Sequence, residues 1–140
     1  MVINSNSPNE TKIFAKNFAK KKHKEGCIIA LSGDLGAGKT TFVQGFATGL
    51  GITEKIISPT FVLIRQHQIP QTKSMLFHID LYRLENDIHI AELGINEMLN
   101  NNNIILIEWA EKVKKQLPLN TIWIRIEKIS DTMRTIEIQD

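Results

Sequence analysis

The chain has 140 residues, 17 of them basic and 15 acidic, for a net charge of +2. That length suits one domain, leaves no room for a second, and buries roughly 68–70% of the unfolded surface without metal or disulfide staples. So small a net charge does not announce a nucleic-acid binder. The single cysteine, Cys27, excludes an internal disulfide.

No apolar stretch nears the ~18–20 residues that a membrane helix needs, and the start Met1–Asn6 is polar where a signal peptide would be apolar. Cytoplasmic residence is expected. In chain order, Ser7-Pro8-Asn9-Glu10 reads as a helix start, with Ser7 as cap, Pro8 at the first helical position and Glu10 three residues on, as in a capping box. The helix runs to about Lys22, with Phe14, Phe18, Ala15 and Ala19 at helical spacing. Its end carries Lys20, Lys21, Lys22 and Lys24, which suits the helix dipole and a solvated terminus; a nucleic-acid patch is the sharper reading. Gly26 ends it. Cys27 to Ser32 fits a strand buried on both faces, and Cys27 reads as a core thiol. A helix with Val43, Phe46, Ala47 and Leu50 on one face follows, and Gly51 stands where a C-terminal glycine would. Phe61–Ile69 and Ser74–Asp80 read as a hairpin across Pro70–Lys73. Ile90–Leu99 reads as a helix broken by the four asparagines 100–103. Ile104–Ile107 is a second wholly apolar strand, and Trp109–Gln116 a short helix stopped by Pro118. Thr121–Glu127 alternates and pairs with Arg134–Ile138. The expected fold is an α/β sandwich with a mixed, partly parallel central sheet flanked by helices.

Between the first buried strand and the second helix lies Gly33-Asp34-Leu35-Gly36-Ala37-Gly38-Lys39-Thr40. It matches G-x-x-x-x-G-K-[ST], the Walker A pattern, in the strand–loop–helix context that the pattern requires. The physics is that of an anion cradle. Inward-pointing amides and a helix N-terminus welcome phosphate charge, and glycines allow backbone angles and a close approach that a Cβ would block. Gly33, Asp34, Gly36, Ala37 and Gly38 would supply the cradle. Lys39 would reach the β and γ phosphates, Thr40 would offer its hydroxyl to Mg²⁺, and Thr41 would reach the α phosphate. The expected ligands are ATP or ADP with Mg²⁺.

Such a site also needs an acid for the cation and a group to place water. Two acids close strands, Asp80 and Glu108, and ligands bind beyond the carboxyl ends of strands in open α/β sheets. Lys39, Asp80 and Glu108 are therefore the candidate catalytic residues, and spacing does not say which acid holds the cation. Trp109 packs either beside the site or in the core. His78, two before Asp80 on the same strand face, reads either as an ordinary sheet histidine or as a partner of these acids. No ligand set with zinc spacing is present.

Four blocks taken together resemble the TsaE (YjeE) family of bacterial ATPases required to make threonylcarbamoyladenosine on tRNA: Gly33–Thr41, then Ser58-Pro59-Thr60-Phe61, then His78-Ile79-Asp80-Leu81-Tyr82-Arg83-Leu84, then Ile107-Glu108-Trp109-Ala110-Glu111. The resemblance implies partners TsaB and TsaD, with tRNA met only through their complex, and a nucleotide-sensing switch at Ser58–Phe61. It implies that the ATPase resets the complex between rounds and does not itself transfer the threonylcarbamoyl group. It makes Thr40 and Glu108 the magnesium contacts, sets Asp80 close to the phosphates, and puts the base near Thr11. Arg134 resembles a family arginine at the nucleotide.

Other function classes remain open on the residues alone. A small-molecule kinase would need an arginine-bearing lid, yet the 27 residues between Asp80 and Glu108 hold only Arg83. A GTPase switch would carry Asn-Lys-x-Asp, which is absent. A nucleotide-gated binding module with little turnover differs from the ATPase only in whether hydrolysis matters.

Overall fold

The structure, a computed structural model, describes residues 1–22, 25–59, 63–84 and 89–139. Seven strands form one sheet: β1 (Val2–Ser5), β2 (Cys27–Ser32), β3 (Ile64–Gln68), β4 (Met75–Asp80), β5 (Ile104–Glu108), β6 (Ile122–Lys128) and β7 (Arg134–Gln139), in the spatial order β1-β7-β6-β2-β5-β4-β3. The four central strands β6, β2, β5 and β4 are parallel, and β3, β7 and β1 join antiparallel at the two sides. The mixed, partly parallel sheet expected from the sequence is therefore present. β5 reads Ile-Ile-Leu-Ile-Glu and is buried at every position, as a strand covered on both faces must be.

One face of the sheet carries α1 (Pro8–Lys22) and α2 (Lys39–Gly49) over Ile29, Leu31, Leu76, Ile104 and Leu106. The opposite face carries Ile28, Ala30, Ile79, Ile105 and Ile107 under Ile90, Ile95, Ala110 and Val113. The helices meet through four phenylalanines, Phe14 and Phe18 from α1 and Phe42 and Phe46 from α2, with ring centroids 6.2–6.4 Å apart. The close approach demands glycine on α2. A Cβ on Gly45 would lie 2.4 Å from the Lys12 carbonyl oxygen, and one on Gly49 2.3 Å from that of Lys16.

The α1 start is built as the sequence implies. The Glu10 amide donates to Ser7 Oγ at 3.1 Å, and the Glu10 carboxylate reaches back to the Asn6 amide. Gly51, at φ 86°, ends α2 as expected.

Four expectations need correction. β1 lies in the stretch read only as polar; Ile3 pairs with Ile136 across the edge of the sheet. β3 begins at Ile64, because Leu63 takes a left-handed φ of 68° that interrupts an extended run; residues 61 and 62, also assigned to this strand, lie outside the described residues. Ile90–Leu99 is not one helix. Gly94, at φ 80°, splits it into a 3-10 turn, Ile90–Leu93, and a single turn α3, Ile95–Met98. Ala110–Gln116 is a 3-10 segment kinked at Val113 rather than a regular helix. Of the lysine cluster, Lys20 and Lys21 are exposed at the α1 end, and Lys24 lies outside the described residues. No helix among the described residues is long and apolar enough to cross a membrane.

Candidate functional site

The loop that leaves β2 turns on positive-φ glycines, Gly33 at 145°, Gly36 at 81° and Gly38 at 102°. Two needs coincide at Gly33, where a Cβ would also strike the Ile126 carbonyl oxygen at 2.3 Å. The chain then enters α2 with Gly38 at the cap position and no side-chain cap on its amides. An α-helix leaves its first amides without intrahelical partners, and its dipole adds positive potential there. This end of α2 opens on a cleft of about 370 Å³ lined by Gly38, Lys39, Thr40, Asp80, Glu108 and Trp109, among others.

Lys39 is only 5% exposed. Its ammonium donates to the Asp34 carbonyl at 3.0 Å and to the Gly33 carbonyl, and stands 4.0 Å from the centre of the Trp109 ring. Burial pushes its pKa below the ordinary lysine value, with Glu108, Glu111, Asp80 and Asp34 pulling the other way. The amine is thus tied to the loop's own carbonyls in a partly desolvated place, where an arriving polyphosphate would be a better partner.

The two strand-end acids lie side by side. Asp80 and Glu108 are register partners on parallel β4 and β5, and both are buried. Their oxygens are engaged from separate elements. Thr40 Oγ1 on α2 donates to the Glu108 carboxylate at 3.0 Å and 3.2 Å. His78 Nε2 on β4 lies 2.5 Å from Glu108 Oε2. Ser58 Oγ donates to Asp80 Oδ2 at 2.9 Å, and the Tyr82 amide to Asp80 Oδ1 at 2.9 Å. Two like charges in adjacent buried positions favour a cation between them. Mg²⁺ is commonly held by one or two carboxylates plus substrate phosphates and waters, so Thr40, Glu108 and Asp80 form a donor set of the right chemistry.

A smaller recess of about 30 Å³ gathers Thr11, Gly38, Thr41 and Arg134. Thr11 is buried, and its hydroxyl lies 2.7 Å from that of Ser5. Arg134 grips the loop from β7. Its Nε donates to the Ala37 carbonyl at 3.0 Å and its Nη2 to the Gly36 carbonyl at 3.2 Å, while Nη1 donates to the Ser130 carbonyl at 2.7 Å. Of the segment Ser58–Phe61, Ser58 and Pro59 are described, with Ser58 on Asp80; Thr60 and Phe61 lie outside the described residues.

The structure therefore brings Gly36, Gly38, Lys39, Thr40, Thr41, Asp80, Glu108, Trp109 and Arg134 to one cleft, with Thr11 in the recess that shares Gly38, Thr41 and Arg134. Asp34 and Ala37 serve the loop through their backbone, the Asp34 carbonyl accepting the Ala37 amide at 3.0 Å. Sequence reasoning missed Lys112, whose ammonium donates to the carbonyls of Leu81, Tyr82 and Leu84 at 3.0, 2.7 and 2.9 Å and so shapes the turn after Asp80. A lysine among others in a short polar helix carries no signal of such a role. Trp109, at a left-handed φ of 61°, turns the chain sharply just after Glu108. That strained backbone is of the kind found at functional sites. Cys27 is only partly buried, packs against the core, and has its thiol pushed up to about 11, mainly by burial.

Comparison with known proteins identifies the family. The family described as "Threonylcarbamoyl adenosine biosynthesis protein TsaE" matches residues 5–136. The chain is 41% identical over 133 residues to the tRNA threonylcarbamoyladenosine biosynthesis protein TsaE of Bacillus subtilis, covering 93% of this chain and 79% of that one. It is 40% identical to the TsaE proteins of Treponema pallidum and Haemophilus influenzae, covering 81% and 89% of this chain and 82% and 80% of theirs. The crystal structure of YdiB from Bacillus subtilis superposes with a TM-score of 0.78 at 36% identity, covering 97% of this chain and 82% of that one. On a match that spans nearly the whole chain, together with a fold shared by a solved relative, the chain belongs to the TsaE family.

Proposed function

We propose that this chain binds Mg-ATP on the loop Gly33–Thr41, hydrolyses it, and serves the biosynthesis of threonylcarbamoyladenosine in tRNA by acting on a complex of TsaB and TsaD. One observation carries the ATPase reading: an uncapped helix N-terminus with its glycine loop and buried lysine opens on the same cleft as two adjacent strand-end carboxylates. The relatives' names supply the tRNA pathway.

In this reading the loop amides hold the phosphate chain, and Lys39 exchanges its bonds to the Gly33 and Asp34 carbonyls for the β and γ phosphates. Thr40 and Glu108 would hold Mg²⁺, which when bound neutralises charge across those phosphates. Asp80, fixed by Ser58 and the Tyr82 amide, stands beside them to orient water. Because Ser58 begins the segment that resembles a switch, its bond to Asp80 ties that segment to the state of the phosphates. Turnover then changes the surface offered to the partners, and tRNA is reached only through them.

The test is direct. At Mg-ATP one hundred times its dissociation constant the fold should gain ~2.7 kcal/mol, a melting shift of roughly 6–12 °C in a chain of this length. No shift with any nucleotide under saturating Mg²⁺ sinks the reading. Glu108→Ala that hydrolyses ATP as fast as wild type, with TsaB and TsaD present, removes the role given to that acid. A phosphorylated small molecule appearing in step with ADP would establish the kinase alternative instead.

A further inference from the structure

We infer that His78 is a positioning residue: it holds Glu108 in an orientation that leaves lone pairs of its carboxylate open to the divalent cation. The inference rests on the Mg-ATP reading of the cleft.

His78 is fully buried on β4, flanked along its strand by Phe77 and Ile79 and paired in register with Leu106 on β5. It shares a sheet face with Asp80, two residues on, and with Glu108. Its Nε2 lies 2.5 Å from Glu108 Oε2. The carboxylate accepts, so Nε2 carries the hydrogen of that bond. Nδ1 is buried and has no hydrogen-bond partner among the described residues. A leucine in this place would fill the volume but would strip the buried Glu108 carboxylate of this bond. What the ring contributes is its bond to Glu108.

That bond has a geometric consequence. A carboxylate offers about four lone-pair positions. Thr40 Oγ1 reaches both oxygens from α2, and His78 takes one further position on Oε2 from the sheet side. Approached from two elements, the group cannot rotate freely, and the positions left open lie toward the cleft. Without His78 the only side-chain bond to Glu108 among the described residues is that of Thr40, a hydroxyl whose own orientation must change when it meets a cation. Groups that hydrogen-bond a metal-binding carboxylate characteristically change metal affinity by 10–100-fold when removed.

The experiment measures Mn²⁺ binding by electron paramagnetic resonance in the complex with AMP-PNP, a non-hydrolysable ATP analogue, for wild type, His78→Leu and His78→Gln. His78→Leu should weaken Mn²⁺ by about 10–100-fold and leave metal-free ADP affinity within about two-fold, because the loop amides are untouched. His78→Gln, whose amide nitrogen can stand near Nε2, should recover most of the loss. In a Glu108→Ala background His78→Leu should cost nothing further. Should His78→Leu not fold, His78→Met is read in its place. Wild-type Mn²⁺ affinity in His78→Leu overturns the inference, as does a full additional loss in the Glu108→Ala background. Failure of the wild-type protein to bind AMP-PNP and Mn²⁺ at all defeats the Mg-ATP reading itself, a different result from either.

Discussion

Arg134 gives the sharpest separation between holding the loop and holding the ligand. Its guanidinium donates to the carbonyls of Ala37 and Gly36, and it is anchored at the other end on Ser130 and Met133. Arg134→Ala removes both bonds to the loop. A hydrogen bond from a charged donor is worth about 1.5–3 kcal/mol when buried. The side chain is only partly buried, so solvent screening brings each nearer 1 kcal/mol, or about 2 kcal/mol together. The nucleotide-free protein should therefore melt roughly 5–8 °C lower. Mg-ATP affinity should fall by about 10–30-fold, because part of the binding energy is spent ordering the loop. Arg134→Lys should recover little, since an ammonium cannot present the planar fork that spans two adjacent carbonyls. Differential scanning calorimetry without nucleotide and isothermal titration with Mg-ATP provide the two readouts. Loss of affinity with an unchanged melting point in the nucleotide-free protein would refute the reasoning and make Arg134 a direct ligand contact.

Other residues make separate demands. Lys39→Ala should lower Mg-ATP affinity by about 10–100-fold while the nucleotide-free protein melts no lower, because the lysine is buried at a cost to its charge; calorimetry and titration check both. Gly45→Ala should destabilise by about 1–3 kcal/mol from overpacking, outweighing the ~1 kcal/mol of helix propensity gained, because the new Cβ meets rigid backbone of α1; a rise in the urea midpoint would contradict this. The Cys27 thiol, raised from 9.0 to about 11, is stabilising while protonated. That contribution is complete below pH 9 and lost as pH climbs through 11. At pH 8 its alkylation should be about 100-fold slower in the native state than in urea, as mass spectrometry would report. Asp80→Asn removes one of two adjacent buried charges, so the nucleotide-free protein should gain about 1 kcal/mol while ATP turnover falls. A loss of stability there would mean the acid is held by more than its neighbour repels.

The fold was legible wherever one physical signal dominated. Cys27–Ser32 and Ile104–Ile107 are largely apolar runs that only a sheet covered on both faces accommodates, and they became its central parallel pair. The alternation from Thr121 onward gave the β6–β7 hairpin. β1 was invisible because four edge residues carry too little pattern to stand out, and its pairing depends on β7, more than a hundred residues away. Ile90–Leu99 misled because apolar periodicity counted for more than Gly94, whose left-handed φ ends any helix that reaches it.

The site divides along the same line. The loop is contiguous, so its chemistry can be read from eight letters. Nothing local connects Asp80 with Glu108; the parallel register of β4 and β5 makes them neighbours, and the α2 face to which both point is set by strand pleat alone. Shift β4 by one residue and Ile79 would face α2 while Asp80 turned to the other layer. The same register sets His78 against Glu108, and the turn clamped by Lys112 directs the Tyr82 amide at Asp80. The cleft is thus as much a consequence of strand register as of the loop. Substitutions that let β4 slip should abolish turnover while leaving every residue of the loop in place.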